Sequence, residues 1–217
     1  MTIEVKNSVK PIDYDQAIKI LEQRVVDVSL GKKEELLWIL EHSTVYTGGT
    51  SYDKKDLIDK KINVIKTGRG GKITVHSKGQ KVIYFVLDLN KRKKDIRNLI
   101  RKVEECIIQV LKNYELESFR DKKNIGIWVH HKKDLKKIAA IGIRVKKWIA
   151  YHGFAINVSN DLSKYKLIDK NKNTKSSLML HAYKINFSIK GTKYNFIAEP
   201  PKAFSDFLKE KYLKNYL

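Results

Sequence analysis

One cysteine in 217 residues, Cys106, leaves the chain without an internal disulfide. No Cys/His spacing suits a metal, so neither a redox framework nor a zinc site is implied. Runs of about 18 apolar residues are missing as well, which argues against a membrane-spanning helix. Met1 to Pro11 is polar and lysine-bearing, unlike a secretory signal. A soluble, cytoplasmic protein with no membrane partner is expected. Acidic side chains are scarce: 24 Asp and Glu face 45 Lys and Arg, a formal charge of +21. Such a charge predicts salt-sensitive attraction to nucleic acid, anionic membrane or acidic carrier proteins. Lysines dispersed over a solvated surface would give the same count. Repeats, linkers and low-complexity stretches are also lacking, and 42% hydrophobic residues over this length suit one core. A single domain over 1–217 with one site is the expectation.

What is present is a mixed order of elements, which predicts an α+β fold. Tyr14, Ala17, Ile18, Leu21, Val25 and Val28 recur at helical spacing between Asp13 and Gly31. Leu36 to Leu40 is a continuous apolar run that suits a strand covered on both faces. A turn follows at Gly48-Gly49, then strands at Ile62 to Lys66, Lys72 to His76 and Lys81 to Leu87. From Asp95, Ile96 to Leu111 carries the strongest helical stripe, with Cys106 beside it, where a buried structural thiol is expected. Ile125 to His130, Ile138 to Val145 and Trp148 to Val158 return to strand composition. Lys170 to Lys175 reads as a polar loop, and the tail as a hairpin around Gly191 followed by a helix from Pro201.

Two segments can carry chemistry. In Thr67 to His76 the adjacent Gly70 and Gly71 allow close backbone approach, so N–H groups can face a carbonyl or phosphate, and Arg69 can hold a charge there. A plain turn between strands would use the same glycines, and Walker spacing is absent. In the second segment, Lys137 enters the apolar strand Ile138 to Ile143, where desolvation would lower its pKa toward an acid/base range; alternatively its ammonium snorkels from the strand end. His152 beside Gly153 suits a packed histidine.

Taken in order, these segments resemble the octanoyltransferases, which transfer octanoyl or lipoyl groups from carrier protein to protein lysines and begin protein lipoylation. The matching residues are Arg69-Gly70-Gly71, Thr74, His76 and Gly79-Gln80, then Lys137 with Ala140-Ile141-Gly142. Tyr151-His152-Gly153-Phe154-Ala155, Asn157, Asp161-Leu162-Ser163, Glu41-His42 and Val45-Tyr46-Thr47 complete the set, over about residues 13 to 165. The resemblance implies a mixed sheet flanked by helices, like the biotinyl and lipoyl protein ligases with their class II synthetase-like fold. It implies an acyl-thioester pocket lined by Arg69, Gly70, Gly71, Lys72, Ile73, Thr74, Val75 and His76, with Ala140, Ile141, Gly142, Gly153, Phe154 and Ala155 as the other wall. Lys137 would handle the proton. Octanoyl-acyl carrier protein is the implied donor. The implied acceptors are apo lipoyl domains of 2-oxoacid dehydrogenases and the glycine cleavage H protein; no cofactor, metal or nucleic acid is needed. Burial of the chain at about 0.8 kcal/mol per CH₂ would make its length the main specificity term.

That family uses a cysteine in Pro-Cys-Gly as acyl acceptor, and no such motif occurs here. Carried forward from Asp161-Leu162-Ser163, its position falls on Asn171, which is no acyl-accepting nucleophile. Val75 also stands where an aromatic is usual, Ser77-Lys78 where Gly-Pro is usual and Lys81 where an aliphatic is usual, and beyond about residue 166 no family match continues. Three readings follow: an acyltransferase working without the cysteine, with Lys137 as base; a binding protein of the same fold without turnover; and a basic nucleic-acid binder. The last lacks any recognisable aromatic-basic module.

Overall fold

A computed structural model describes residues 2–121, 124–131 and 134–168, together with the strands at 184–189 and 192–197. Its centre is a seven-stranded mixed sheet. In chain order the strands of this sheet are β1 (Ile3–Asn7), β2 (Glu35–Leu40), β6 (Gln80–Asp88), β7 (Phe119–Arg120), β8 (Ile127–His131), β9 (Asp134–Lys146) and β10 (Ile149–Asn157), arranged in space as β1-β2-β6-β10-β9-β8-β7. Only the β1–β2 pair is parallel within it. A smaller sheet pairs β3 (Val45–Gly48) with β4 (Val64–Lys66) and β5 (Ile73–His76). Strands β11 (Lys184–Ile189) and β12 (Thr192–Ile197) form the hairpin expected around Gly191; the proposed helix from Pro201 and the loop Lys170 to Lys175 lie outside the described residues.

Helix α1 (Tyr14–Ser29) starts where Asp13 accepts a hydrogen bond from the Gln16 N–H at 3.0 Å, an N-cap that satisfies one of the free donors of the first turn. Its stripe Ala17, Leu21, Val25 and Val28 packs on Trp38, Val82, Tyr84, Val86 and Tyr151. Helix α2 (Ile96–Lys112), capped by Asp95, covers the other face: Ile107 and Leu111 meet Ile127, Val129 and Ile138, while Leu99 and Val103 meet Phe85, Leu87, Ile143 and Val145. Strand β6 therefore sends Val82, Tyr84 and Val86 to α1 and Ile83, Phe85 and Leu87 toward α2. Helices on both faces are why its sequence is apolar without alternation.

Cys106 corrects one expectation. It sits one position before Ile107, off the buried stripe, and is exposed. Desolvation nonetheless raises its thiol pKa, which disfavours the nucleophilic thiolate.

Candidate functional site

The site is built where the small sheet meets the large one. After β4 the chain turns through Thr67 to Lys72, and the turn after β3 clasps it: Thr67 N–H donates to Gly48 O (2.8 Å), Gly49 N–H to Lys72 O (3.0 Å), Thr50 N–H to Arg69 O (2.9 Å) and Ser51 N–H to Gly71 O (3.1 Å). A Cβ on Gly49 would stand 2.3 Å from Gly71 O, so glycine is required for this approach. Arg69 folds back over the clasp, donating from Nη2 to Thr47 O and Oγ1 (2.8 and 2.9 Å) and from Nη1 to Gly70 O (3.0 Å). Its buried Nε–H has no partner among the described residues. The N–H groups of Gly70 and Gly71 likewise donate to no protein acceptor among the described residues, leaving donors of the type a carbonyl oxygen or oxyanion accepts.

The loop rests on a part of the sheet stripped of side chains. Gly142 on β9 and Gly153 on β10 are cross-strand partners. A Cβ on Gly142 would meet Gly70 O at 3.2 Å and Arg69 Cδ at 3.3 Å; one on Gly153 would lie 2.0 Å from Ile83 O. Two glycines in the middle of long strands thus serve close approach, which outweighs their entropic cost. The other wall residues divide. Ala140 lies on the Gly142 face of β9 by strand alternation and Ala155 joins the core under α1, whereas Ile141 and Phe154 pack beneath α2. Ile73 and Val75 enter a separate cluster with Leu57 and Ile168, and Lys72 is exposed, 3.7 Å from Asp56.

Beside Arg69 lies a buried group of rings and amides. His76 Nδ1 is 2.6 Å from Gln80 Oε1, so with that oxygen accepting, Nδ1 carries the proton and Nε2 is left as an acceptor with no partner among the described residues. Gln80 Nε2 donates to Asn157 Oδ1 (2.8 Å) and Tyr165 OH (3.0 Å), Tyr165 OH donates to Val75 O (3.2 Å), and Asn160 Nδ2 donates to Asn157 Oδ1 (3.1 Å). His42 donates from Nδ1 to Ile12 O (2.7 Å), which leaves Nε2 to accept from Tyr84 OH (2.9 Å). Burial holds His76 down to about 3 and His152 down to about 4, with the Arg69 cation adding to both; His42 is lowered by burial as well. All three imidazoles are neutral at neutral pH, suited to hydrogen-bonding an uncharged polar ligand. His152 adopts φ +68° while 3% exposed, a strained backbone in the middle of β10. The reading of His152 as a packed histidine fits its contacts with Tyr84 and Tyr151.

Lys137 is exposed. Its stem passes Gly126, its Nζ donates to Ile125 O at 3.0 Å and lies 4.8 Å from the centre of the Trp128 ring. The desolvated lysine expected from sequence is not found; the structure shows the snorkelling alternative, with the Lys137 head group set between a carbonyl and a ring face. Its backbone carbonyl accepts from Asn157 Nδ2 at 3.5 Å, which ties Lys137 to the network of His76 and Gln80. Asn171 lies outside the described residues. Sequence reasoning missed Tyr14, Thr47, Tyr84, Asn160 and Tyr165 as parts of this site. Tyr84 carried a signal, a polar group inside the apolar stretch Val82 to Leu87; Tyr14, Asn160 and Tyr165 stand among polar neighbours and carried none. Among the described residues no cluster of His, Cys, Asp and Glu could hold a metal, and no helix is long and apolar enough to cross a membrane.

Residues 13–184 match the lipoyl protein ligase A/B catalytic domain. The octanoyltransferase of Wolbachia pipientis wMel is 47% identical over 157 residues, covering 71% of this chain and 76% of that protein. That of Anaplasma phagocytophilum strain HZ is 42% identical over 167 residues, covering 76% and 80%. Among solved structures, the bipartite lipoate protein ligase of Thermoplasma acidophilum aligns with a TM-score of 0.59 at 17% identity, covering 80% of this chain and 69% of that one. A lipoate-protein ligase A bound with ATP gives 0.58 at 17%, covering 76% and 71%. At such identities the structures speak for the fold, and they agree with the mixed sheet flanked by helices.

Proposed function

The chain belongs to the lipoyl protein ligase A/B catalytic-domain family, as an octanoyltransferase, and from this we infer that it moves an octanoyl group onto a lysine in protein lipoylation. The observation that carries the reading is the placement of the matched Arg69-Gly70-Gly71 loop against the matched Gly142, with unpaired N–H donors on the loop and the neutral imidazoles of His76 and His152 within electrostatic reach of Arg69. The donor is octanoyl-acyl carrier protein. The acceptors are apo lipoyl domains of 2-oxoacid dehydrogenases and the glycine cleavage H protein.

With Asn171 at the position of the family's nucleophile, the reaction runs as one displacement. The acceptor lysine's neutral amine attacks the thioester carbonyl, and the Gly70 and Gly71 N–H groups with Arg69 stabilise the oxyanion. As the C–S bond breaks, the Lys137 ammonium, swung from Ile125, gives its proton to the departing thiolate and then takes the proton that the attacking amine gives up. Losing the acyl-enzyme step costs rate, because one barrier is no longer split into two. Intact-mass spectrometry of an apo lipoyl domain mixed with octanoyl carrier protein and this chain tests the reading. The expected result is an octanoyl adduct on the lipoyl domain, lost with Lys137→Ala and never seen on the enzyme. No adduct above background would favour a binding protein without turnover.

A further inference from the structure

One basic surface lies outside the site and joins it. Strand alternation puts Gly142, Arg144 and Lys146 on one face of β9. Gly142 carries the Arg69 loop, and the Arg144 guanidinium lies over Gly68. Lys146 leads to the tip at Lys147 and Trp148, whose φ values of +50° and +63° fit a two-residue type I′ hairpin. The tip is fastened to the chain entering α2: Leu89 N–H donates to Trp148 O (2.8 Å), Asn90 Nδ2 donates to Lys147 O (3.2 Å) and Lys94 Nζ lies 5.6 Å from the Trp148 ring centre. Lys93 and Lys94 just ahead of α2, and Arg97 in its first turn, continue the basic surface around the hairpin end of the sheet, where Asp95 is committed to capping the helix.

None of Arg144, Lys146, Lys147, Lys93, Lys94 and Arg97 is in an ion pair among the described residues, and all six are exposed. Some cations elsewhere are paired, as Arg92 is with Glu35 and Lys81 with Glu41; what sets this group apart is that it runs on from the Arg69 loop. Uncompensated like charges held on rigid elements repel one another, and an anionic surface laid against them relieves that repulsion. The track leads away from Arg69 for about 13 Å along β9, four residues at roughly 3.3 Å each. That offset suits a partner whose reacting group is carried on an extended arm; an acceptor lysine on a protein surface has to approach the site itself.

We propose that this track, from Arg144 through the Lys147-Trp148 tip to Arg97, is the docking surface for the acidic carrier protein that delivers the acyl thioester. Trp148, 39% exposed among the lysines, supplies an apolar centre for the contact. The proposal rests on the acyl-transfer reading above, and its test separates the two.

The test compares the Kd of octanoyl-loaded carrier protein, by fluorescence anisotropy, for wild type, a variant with Lys93, Lys94, Lys146 and Lys147 each changed to Glu, and a control with Lys54, Lys55, Lys60 and Lys61 changed to Glu. The track variant should bind at least about tenfold more weakly and the control less than about threefold. The milder pair Lys146→Gln and Lys147→Gln should fall between, which keeps the test valid if the fourfold variant fails to fold. Equal weakening in the track variant and control, or none in either, overturns the proposal. So does tighter binding of a duplex DNA to wild type than of the carrier, lost in the track variant. Transfer from a carrier-free octanoyl thioester is measured alongside: its absence in wild type counts against the acyl-transfer reading alone, while the Kd comparison still decides the docking surface.

Discussion

At the scale of single residues the site depends on what is missing from two positions. Gly142→Val would push side-chain carbon into Arg69 and Gly70, so octanoyl transfer should fall at least about tenfold; Gly142→Ala, whose Cβ needs the loop to give by a few tenths of an ångström, should cost less. Steady-state rates on the two variants check this ordering. The buried histidines predict a pH effect of definite sign. His76 and His152 titrate at about 3 and 4 in the fold but near 6.5 when unfolded, so below pH 6.5 the unfolded chain binds more protons. Stability should be full above that value and decline as pH falls, by on the order of 2 kcal/mol per histidine at about pH 4.5. Melting curves should shift down across that window, with a shallower slope in His152→Gln; a melting temperature independent of pH would contradict the assignment. Arg69 and Gly70 were legible because adjacent glycines between strands announce an unusual backbone. The pairing of His42 with Tyr84 was not, since their hydrogen bond joins positions 42 residues apart and Tyr84 alone looks like a residue of a packed strand.

Among the elements, the two helices were readable from their stripes and caps, and the covered strands from unbroken apolar runs. The edges were not. Strand β1 is five residues with two charges, β3 is four residues ending in glycine and β7 is two, so the signal within each is shorter than the period it must display. The start of β9 was missed because Asp134 to Lys137 carries three charges ahead of its apolar half. The start of β2 and the chain after β6 are locked together by Glu35, which is 3% exposed, accepts from the Asp88 N–H (2.7 Å) and forms a two-pronged ion pair with Arg92, one contact at 2.6 Å. Arg92→Met would leave that carboxylate buried and unpaired, which should destabilise the fold by about 2–4 kcal/mol in urea unfolding; adding Glu35→Gln should restore part of the loss.

For the molecule as a whole, the +21 charge makes encounter with an acidic partner a matter of ionic strength. Carrier binding should weaken by about tenfold or more between roughly 50 and 150 mM salt, read as a change in Kd across a salt series; an affinity indifferent to salt would show that the charge serves some other end. The fold class could be read from sequence because it rests on local patterns. The clasp between the two sheets could not, being made by hydrogen bonds across pieces that are separate in the sequence. The strand order carries a consequence for how the protein is made. Every strand of the seven-stranded sheet lies at or before Asn157, so the whole sheet has been made while the chain beyond it is still being added at about 5–20 residues per second. Single hairpins and helices form far faster than that, in microseconds. The nascent chain can therefore assemble the large sheet in the order of synthesis, with Asn160 and Tyr165 arriving afterwards to complete the buried network around Gln80.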